Sequence, residues 1–384
     1  LKRANNGRFI KSSSVGVEPF SAFVPHDLPP KPPIDLASLQ PLLEKANMSL
    51  GRLDGMGRVL PDISIFLYMY VRKEAVLSSQ IEGTMSSLSD LLIYESKGTP
   101  GVPMDDVQEV SSYVAAMDFA MGKIEELPIS LRFIKETHRV LMSNSRGSTK
   151  SPGEFRKSQN WIGGTHPGNA KFVPPPVEHL NSCLGAFEKF IHAENNLPTL
   201  LKAAMAHVQF ETIHPFLDGN GRMGRMLIIL MLYSEGLLAK PYLYLSYYFK
   251  KHRSQYYEHL QAIRVDGDWE SWCEFFLKAI IETSNQASET ISLILAQFKK
   301  DENLIAETHK QKAGLGALYQ CFQKTPITTS ASLISKSSQS KTTVLRGLKL
   351  MAELNIIKDV SGKERNKIYV YQDYLKILNS GINL

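Results

Sequence analysis

Cysteine is scarce. Only Cys183, Cys273 and Cys321 occur in 384 residues. They are scattered, with none of the paired spacings of a zinc site or disulfide framework, so a reducing, cytoplasmic setting is expected. Long apolar runs are missing too. The longest, Met226 to Tyr233, falls far short of the ~20 residues a membrane span needs, so no membrane partner is expected. The opening stretch "LKRANNGRFIKSSSVGVEPF" has basic groups but no apolar core of signal-peptide length. It also lacks an initiator Met, and the native start is expected to lie elsewhere. No internal repeat is evident.

What is present supports a large folded chain. With 43% hydrophobic residues a sizeable core can form, and the length suits about two to three domains. The net charge of +6 is uneven. From Ile291 to Leu384 there are 14 Lys/Arg against 7 Asp/Glu, a net of +7, which leaves the rest at −1. Such asymmetry fits an anionic partner for the C-terminal part, or a solvated basic surface.

The patterning predicts a mainly α protein in five segments. Residues 1–34, rich in Pro, Ser and Gly, read as an extended lead-in. Residues 35–127 form a helical region, with one helix from near Asp62 to Glu82 stopped by Gly83. Residues 128–288 form a second helical region. It is interrupted at 151–176 by a Gly/Pro-rich hairpin with strand pieces near Asn160–Ile162 and Lys171–Val173. Residues 289–312 are a polar helical linker. Residues 313–384 read as three helices and a basic hairpin, a winged-helix pattern. On the third of these helices Val344, Leu345, Leu348, Met351 and Leu354 are expected on one buried face.

The chemistry concentrates in "HPFLDGNGRMGR", residues 214–225. Met223, Met226, Leu227, Leu230 and Met231 fall at helical spacing after it, so its glycines sit at a helix N-terminus. Free N–H groups and the helix dipole favour an anion there. Gly219 and Gly221 permit close approach of a ligand and the backbone turns of an anion nest. Arg222 and Arg225 share a face of the first turn, and two cations there are unfavourable unless an anion joins them. Asp218 beside a polyphosphate site suits Mg²⁺, and His214 can accept a proton near neutral pH. The set points to transfer of a phosphorus-containing group to a hydroxyl.

The stretch resembles the signature of the Fic family, HPFx(D/E)GNGRxxR, at every fixed position. The resemblance implies a mostly helical Fic-type core with a small β-hairpin flap, spanning about 35–285. It also implies transfer of AMP from ATP to a Ser, Thr or Tyr hydroxyl of a target protein. By that resemblance His214 is the general base and Asp218 the Mg²⁺ ligand. Gly219, Asn220, Gly221, Arg222, Met223, Gly224 and Arg225 form the nucleotide site, Arg225 on the γ-phosphate. The segment "SSQIEG" resembles the family's inhibitory motif (S/T)xxxE(G/N), with Ser78, Glu82 and Gly83 in the fixed places. Glu82 is then expected to offer Arg225 a bidentate carboxylate. The 151–176 hairpin resembles the flap that pairs with the target, with Ile162, Gly163 and Gly164 near the active site. In "KKHRSQYYEHL" the resemblance puts Tyr256 against adenine and leaves Tyr257 to the core.

Other readings stand beside this one. A nucleotide-sensing DNA regulator is motivated by Lys341, Thr342, Arg346 and Lys349 on the third C-terminal helix, and by Lys363, Arg365 and Lys367 on the wing. Removal of AMP at the same site is another, and a homo-oligomer is compatible with the sequence. His207 and His214 invite a metal reading, but no third ligand has suitable spacing.

Overall fold

The computed structural model describes every residue except 1, 2, 4, 5, 13–18, 60–62, 96–98, 145, 146, 195, 308–313, 363–366 and 380–384. It is mainly helical, as the periodicity predicts. Among the described residues no helix is long and apolar enough to cross a membrane.

The lead-in departs from expectation. β1 (Gly7–Ser12) and β2 (Phe20–Pro25) pair antiparallel, Gly7 opposite Pro25 and Ser12 opposite Phe20. β2 buries Ala22, Phe23 and Val24, and the Phe23 N–H donates to the Val173 carbonyl at 2.9 Å. An apolar strand with a second edge to pair with overrides the merely extended tendency of its prolines.

The helical body follows. α1 (Leu36–Val59) lies along the long α11 (Trp269–Glu307). α2 (Ile63–Ile81) stops where Gly83 takes φ +102°, which leaves Glu82 just beyond the helix end. α3 (Leu88–Glu95) and α4 (Met104–Lys123) pack on α2, and α5 (Leu131–Leu141) packs on α4. α6 (Val177–His192) covers α7 (Thr199–Ile213), which is buried from Leu200 to Ile213. α8 (Asn220–Ser234) packs on α7 and buries Met223 and every residue from Met226 to Leu232. Each fully buried large apolar side chain contributes ~1.5–3 kcal/mol, so this helix pair is a rigid platform for the loop that joins it. α9 (Ser246–Lys251) rests on α2, and α10 (Arg253–Asp266) on α11.

α11 runs unbroken across position 288, the expected edge of the catalytic region. Residues 308–313, the end of the expected linker and the first residue of the expected winged helix, lie outside the described residues. Then come α12 (Leu315–Lys324), β3 (Ile327–Thr329), α13 (Ser330–Lys336), α14 (Lys341–Glu353), β4 (Lys358–Asp359), β5 (Ile368–Val370) and α15 (Gln372–Asn379). The strands form an antiparallel sheet in the order β3–β5–β4. Four helices and the β4–β5 pair are therefore present, one helix and one short strand more than the expected pattern. Val344, Leu348 and Met351 are buried, but Leu345 is 44% exposed. It lies ~100° around the helix from Val344, outside the buried stripe. Lys363 and Arg365 lie outside the described residues. α12 and α15 pack on α11, where the Tyr371 hydroxyl meets both Asp301 and Tyr319.

Candidate active site

The site is the turn between α7 and α8. His214 follows α7 in the left-handed region, φ 48° and ψ 61°, while its N–H still donates to Phe210 O at 2.9 Å. Its Nδ1 lies 3.4 Å from the Glu211 carbonyl. A carbonyl only accepts, so the neutral ring carries its proton on Nδ1 and leaves Nε2 free. Burial, with the positive charge of Arg264, pulls its pKa down to about 4.

Phe216 pins the turn. It is buried and stacks on His138, centroids 3.6 Å apart and planes within 4°. Its N–H donates to Asn220 Oδ1, and Asn220 Nδ2 donates back to its carbonyl, both at 2.8 Å. This corrects one expectation. The buried Asn220 amide closes the loop, and its side chain is not free to meet phosphates. At Gly219, φ is +77°, and a β-carbon would stand 2.6 Å from Met142 Sδ. Met223 and Gly224 also differ from the expected role. Met223 is a core side chain whose N–H donates to Gly219 O at 3.0 Å, and Gly224 packs against Glu211 and Phe210.

Ser78, Glu82, Gly221 and Arg225 come together. Arg225 is buried, with Nε donating to Ser78 Oγ at 2.9 Å and Nη2 to Ser78 O at 2.9 Å and Glu82 Oε1 at 2.7 Å. The contact is therefore through one carboxylate oxygen, not bidentate. Ser78, one turn earlier on α2, takes the rest of the fork. A β-carbon on Gly221 would lie 2.2 Å from Glu82 Oε1, so that oxygen sits directly on the N-terminus of α8. Burial opposes charge on Glu82, but Arg225 outweighs it and holds the carboxyl below its usual range.

Arg222 points elsewhere, with Nη1 3.0 Å from Glu109 Oε1 on α4 and Nη2 3.8 Å from Asp218 Oδ1. Asp218 accepts from the Gly219 N–H at 2.7 Å and from Lys150 Nζ at 3.1 Å. Burial works against its ionisation, yet Lys150 and Arg222 together lower its pKa. Among the described residues no cluster of three or more His, Cys, Asp or Glu is placed to hold a metal. One ionised, partly exposed carboxylate beside free N–H groups still fits Mg²⁺, which takes its other ligands from phosphate and water.

The tyrosines reverse the expectation. Tyr256 is 1% exposed, its hydroxyl 2.8 Å from His207 Nε2 amid Phe249 and Trp272, whereas Tyr257 is 42% exposed. Tyr256, Leu260 and Ile263 form the buried stripe of α10, and that phase turns Tyr257 outward.

The hairpin expected at 151–176 is a single bridge, Ile162 with Phe172, joined by N–H···O bonds of 2.9 and 3.2 Å. Gly163 and Gly164 follow at φ +69° and +73°. Its base is tied to the motif, since Asn160 Nδ2 donates to the carbonyls of His214 at 3.1 Å and Phe216 at 2.9 Å.

Several of these residues escaped sequence reasoning. Arg156 Nε donates to His214 O at 3.0 Å. His138 accepts from the Gly153 N–H at Nδ1, 2.9 Å, so its Nε2–H donates to Asp218 O, also 2.9 Å. Burial lowers its pKa to about 4 and keeps it neutral. Its one visible signal was a histidine on the apolar face Phe133, Ile134, Thr137, Leu141.

Residues 40–122 match the Fic/DOC family N-terminal profile, and 128–232 match the Fic/DOC family profile. The chain belongs to the Fic/DOC family. A protein adenylyltransferase Fic of Culex quinquefasciatus is 31% identical over 201 residues, 51% of this chain and 37% of that protein. One of Drosophila erecta is 30% identical over 264 residues, 62% of this chain and 50% of that protein. The chain thus spans half or less of the length of the curated relatives it matches. Among solved structures, a Fic family protein from Desulfovibrio desulfuricans covers 90% of this chain and 98% of its own, at a TM-score of 0.56 and 18% identity. Fic-1 of C. elegans covers 69% and 74%, at 0.50 and 23%. These likenesses establish the Fic fold.

Proposed function

We propose that this Fic protein transfers AMP from ATP to a Ser, Thr or Tyr hydroxyl of a target protein, and that its own Glu82 holds it silent. One observation carries the reading. The Glu82 oxygen lies on the N-terminus of α8 at Gly221 and 2.7 Å from Arg225 Nη2. A carboxylate oxygen there stands in for a phosphate oxygen. The free N–H groups of the first turn and the guanidinium are what a polyphosphate needs.

The hydroxyl oxygen attacks the α-phosphorus. The bond from that phosphorus to the bridging oxygen breaks, pyrophosphate leaves, and Nε2 of His214 takes the hydroxyl proton. Because Nδ1 faces the Glu211 carbonyl, the lone pair for that step is on the open side of the ring. Arg225 aligns the γ-phosphate and Arg222 the other phosphates. Asp218 would hold Mg²⁺ once Lys150 moves off Oδ2, and the ion would neutralise phosphate charge. Tyr257, the exposed ring of the pair, is the one free to face adenine. The flap backbone at Gly163 and Gly164 pairs with an extended target segment.

A second role is favoured by one feature. Lys341, Thr342, Arg346 and Lys349 are all exposed on α14, in a segment we read as a winged helix. That face suits DNA.

The test of the main reading is incubation of Glu82→Gly protein with labelled ATP, Mg²⁺ and cell extract, with any AMP adduct located by mass spectrometry. An AMP-modified hydroxyl supports it. Absence of any adduct from folded Glu82→Gly protein refutes it, and loss of AMP from pre-modified protein would assign the reverse reaction.

A further inference from the structure

A cavity lies behind the motif, walled by the N-terminal hairpin, α6, α7 and α10. Its volume is about 760 Å³, inside the ~300–1,000 Å³ range of small-molecule sites. Three cationic side chains line it, Arg8, Lys31 and Arg264, against one carboxylate, Asp27. Phe23 and Trp269 add aromatic wall.

Arg264 decides its character. It is only 8% exposed. Its hydrogen bonds are two long ones to neutral acceptors, Nε to Thr212 Oγ1 and Nη2 to Glu211 O, each 3.4 Å. The guanidinium carbon lies 3.8 Å from the centroid of the Phe172 ring. Among the described residues no carboxylate lies within ion-pair distance of it. Burial lowers its pKa to about 10. A buried guanidinium held only by neutral partners is costly, and a counter-anion in the adjoining space removes that cost. Arg225 and Arg222 have carboxylate partners, Glu82 and Glu109. Arg264 has a cavity instead.

We propose that this cavity binds a small organic anion of up to nucleotide size, carrying phosphate or carboxylate, with Arg264 as its buried anchor and Arg8 and Lys31 as outer contacts. The site is distinct from the nest at Gly221, because it lies on the α7 face that carries Val208, Gln209 and Thr212.

Occupancy reaches the motif through one atom. The Glu211 carbonyl that accepts from Arg264 also faces His214 Nδ1. The charged groups acting on that imidazole are Arg264 from α10, Arg156 from the loop after α5, and Glu82 beyond α2. An anion on Arg264 cancels one of the two positive charges and raises the proton affinity of the ring. Any effect on rate rests on His214 being the base, as proposed above. Binding does not.

The probe is inorganic pyrophosphate, titrated into the full chain by calorimetry. An Arg225→Ala background takes the buried guanidinium from the motif's own anion site, and the Arg264→Gln comparison separates the cavity from what remains of that site. The Arg225→Ala protein should bind pyrophosphate, and adding Arg264→Gln should weaken binding by about tenfold or more, the scale of a lost charge-assisted contact. Arg8→Glu, at an exposed position, should weaken it as well while leaving the circular dichroism spectrum unchanged. By NMR, the His214 titration midpoint should rise with pyrophosphate in the Arg225→Ala protein and stay put in the Arg264→Gln double variant. Binding that disappears with Arg225→Ala, or that is unchanged in both Arg264→Gln and Arg8→Glu, would overturn the proposal. So would no binding at millimolar pyrophosphate. None of these readouts needs AMP transfer, so they stand or fall apart from the proposed activity.

Discussion

Glu82 Oε1 and Arg225 Nη2 are 2.7 Å apart, joining the residue just past one helix to the first turns of another that begins 138 positions later in the chain. The carboxylate is 37% exposed while the guanidinium is buried, so the anion can leave and the cation stays. Arg225 cannot serve Glu82 and a γ-phosphate at once.

Replacing Glu82 by Gly should therefore raise AMP incorporation strongly, because Arg225 and the N–H groups at Gly221 become free. The double variant Glu82→Gly with Arg225→Ala should lose most of that gain. Labelled-ATP incorporation compares the three proteins. Equal incorporation by wild type and folded Glu82→Gly protein, with a competent target present, would return Glu82 to an ordinary helix-end residue.

Gly221 supplies an internal control. A β-carbon there would stand 2.2 Å from Glu82 Oε1 and 3.0 Å from Arg225 Nη1. Gly221→Ala should displace Glu82 as Glu82→Gly does. It should nonetheless stay inactive, because the methyl occupies the place of the phosphate oxygen. Activity in Gly221→Ala near that of Glu82→Gly would show that no anion needs that spot.

His214→Ala should slow transfer by ~10²–10⁴-fold with nucleotide binding largely kept, the usual scale for losing a general base. With the imidazole pKa pulled down to about 4, the base is already neutral at pH 5. The rate of the Glu82→Gly protein should therefore stay nearly flat from pH 5 to 8. A rate that climbs tenfold per pH unit between 5 and 6.5 would mean a base with an ordinary histidine pKa.

The motif was legible because it is a contiguous pattern whose residue types are poor helix or core material without a ligand, whereas the Glu82–Arg225 contact, across 143 positions, was expected only from the resemblance of "SSQIEG" to a family motif. The partners that hold the motif were not legible. His138 meets Asp218 across 80 positions, Asn160 meets His214 across 54, and Arg222 finds Glu109 on another helix. A lone His, Asn or Glu carries no local pattern that foretells such a contact. The Tyr256 and Tyr257 order was recoverable, since Leu260 and Ile263 fix the helix phase. The N-terminal hairpin was harder, because β2 gains its stability from pairing beside Val173, far away in sequence.

The C-terminal segment makes a separate prediction. If the exposed face of α14 contacts DNA, affinity should fall with salt by roughly one log–log unit per phosphate neutralised. Deleting residues 313–384 should abolish it. A gel that shows no retarded duplex at low salt would leave that surface to proteins.

Acid stability ties the buried charges together. Burial first, among the causes, lowers the pKa of His138 and His214 to about 4 and of His207 to about 3, from a usual 6.5. Burial also raises Glu74 and Glu211 to about 7, from 4.5. Between pH 6.5 and 4.5 the unfolded chain takes up three protons on these histidines that the folded chain refuses. Over the same span the folded chain holds two on the carboxyls that the unfolded chain has lost. The net is one proton in favour of the unfolded state, so stability declines gently as pH falls, at most ~1.4 kcal/mol per unit. Below pH 4.5 the two carboxyls no longer differ and the histidines act unopposed. Glu82, Asp218 and Glu270, whose pKa values are lowered in the fold, then add to the loss. Urea midpoints should thus drop slowly from pH 6.5 to 4.5 and steeply below. Glu211→Gln removes one of the two opposing protons, so its decline between pH 6.5 and 4.5 should be steeper than that of the parent. Parallel curves for the two proteins would mean that Glu211 is ionised in the folded state after all.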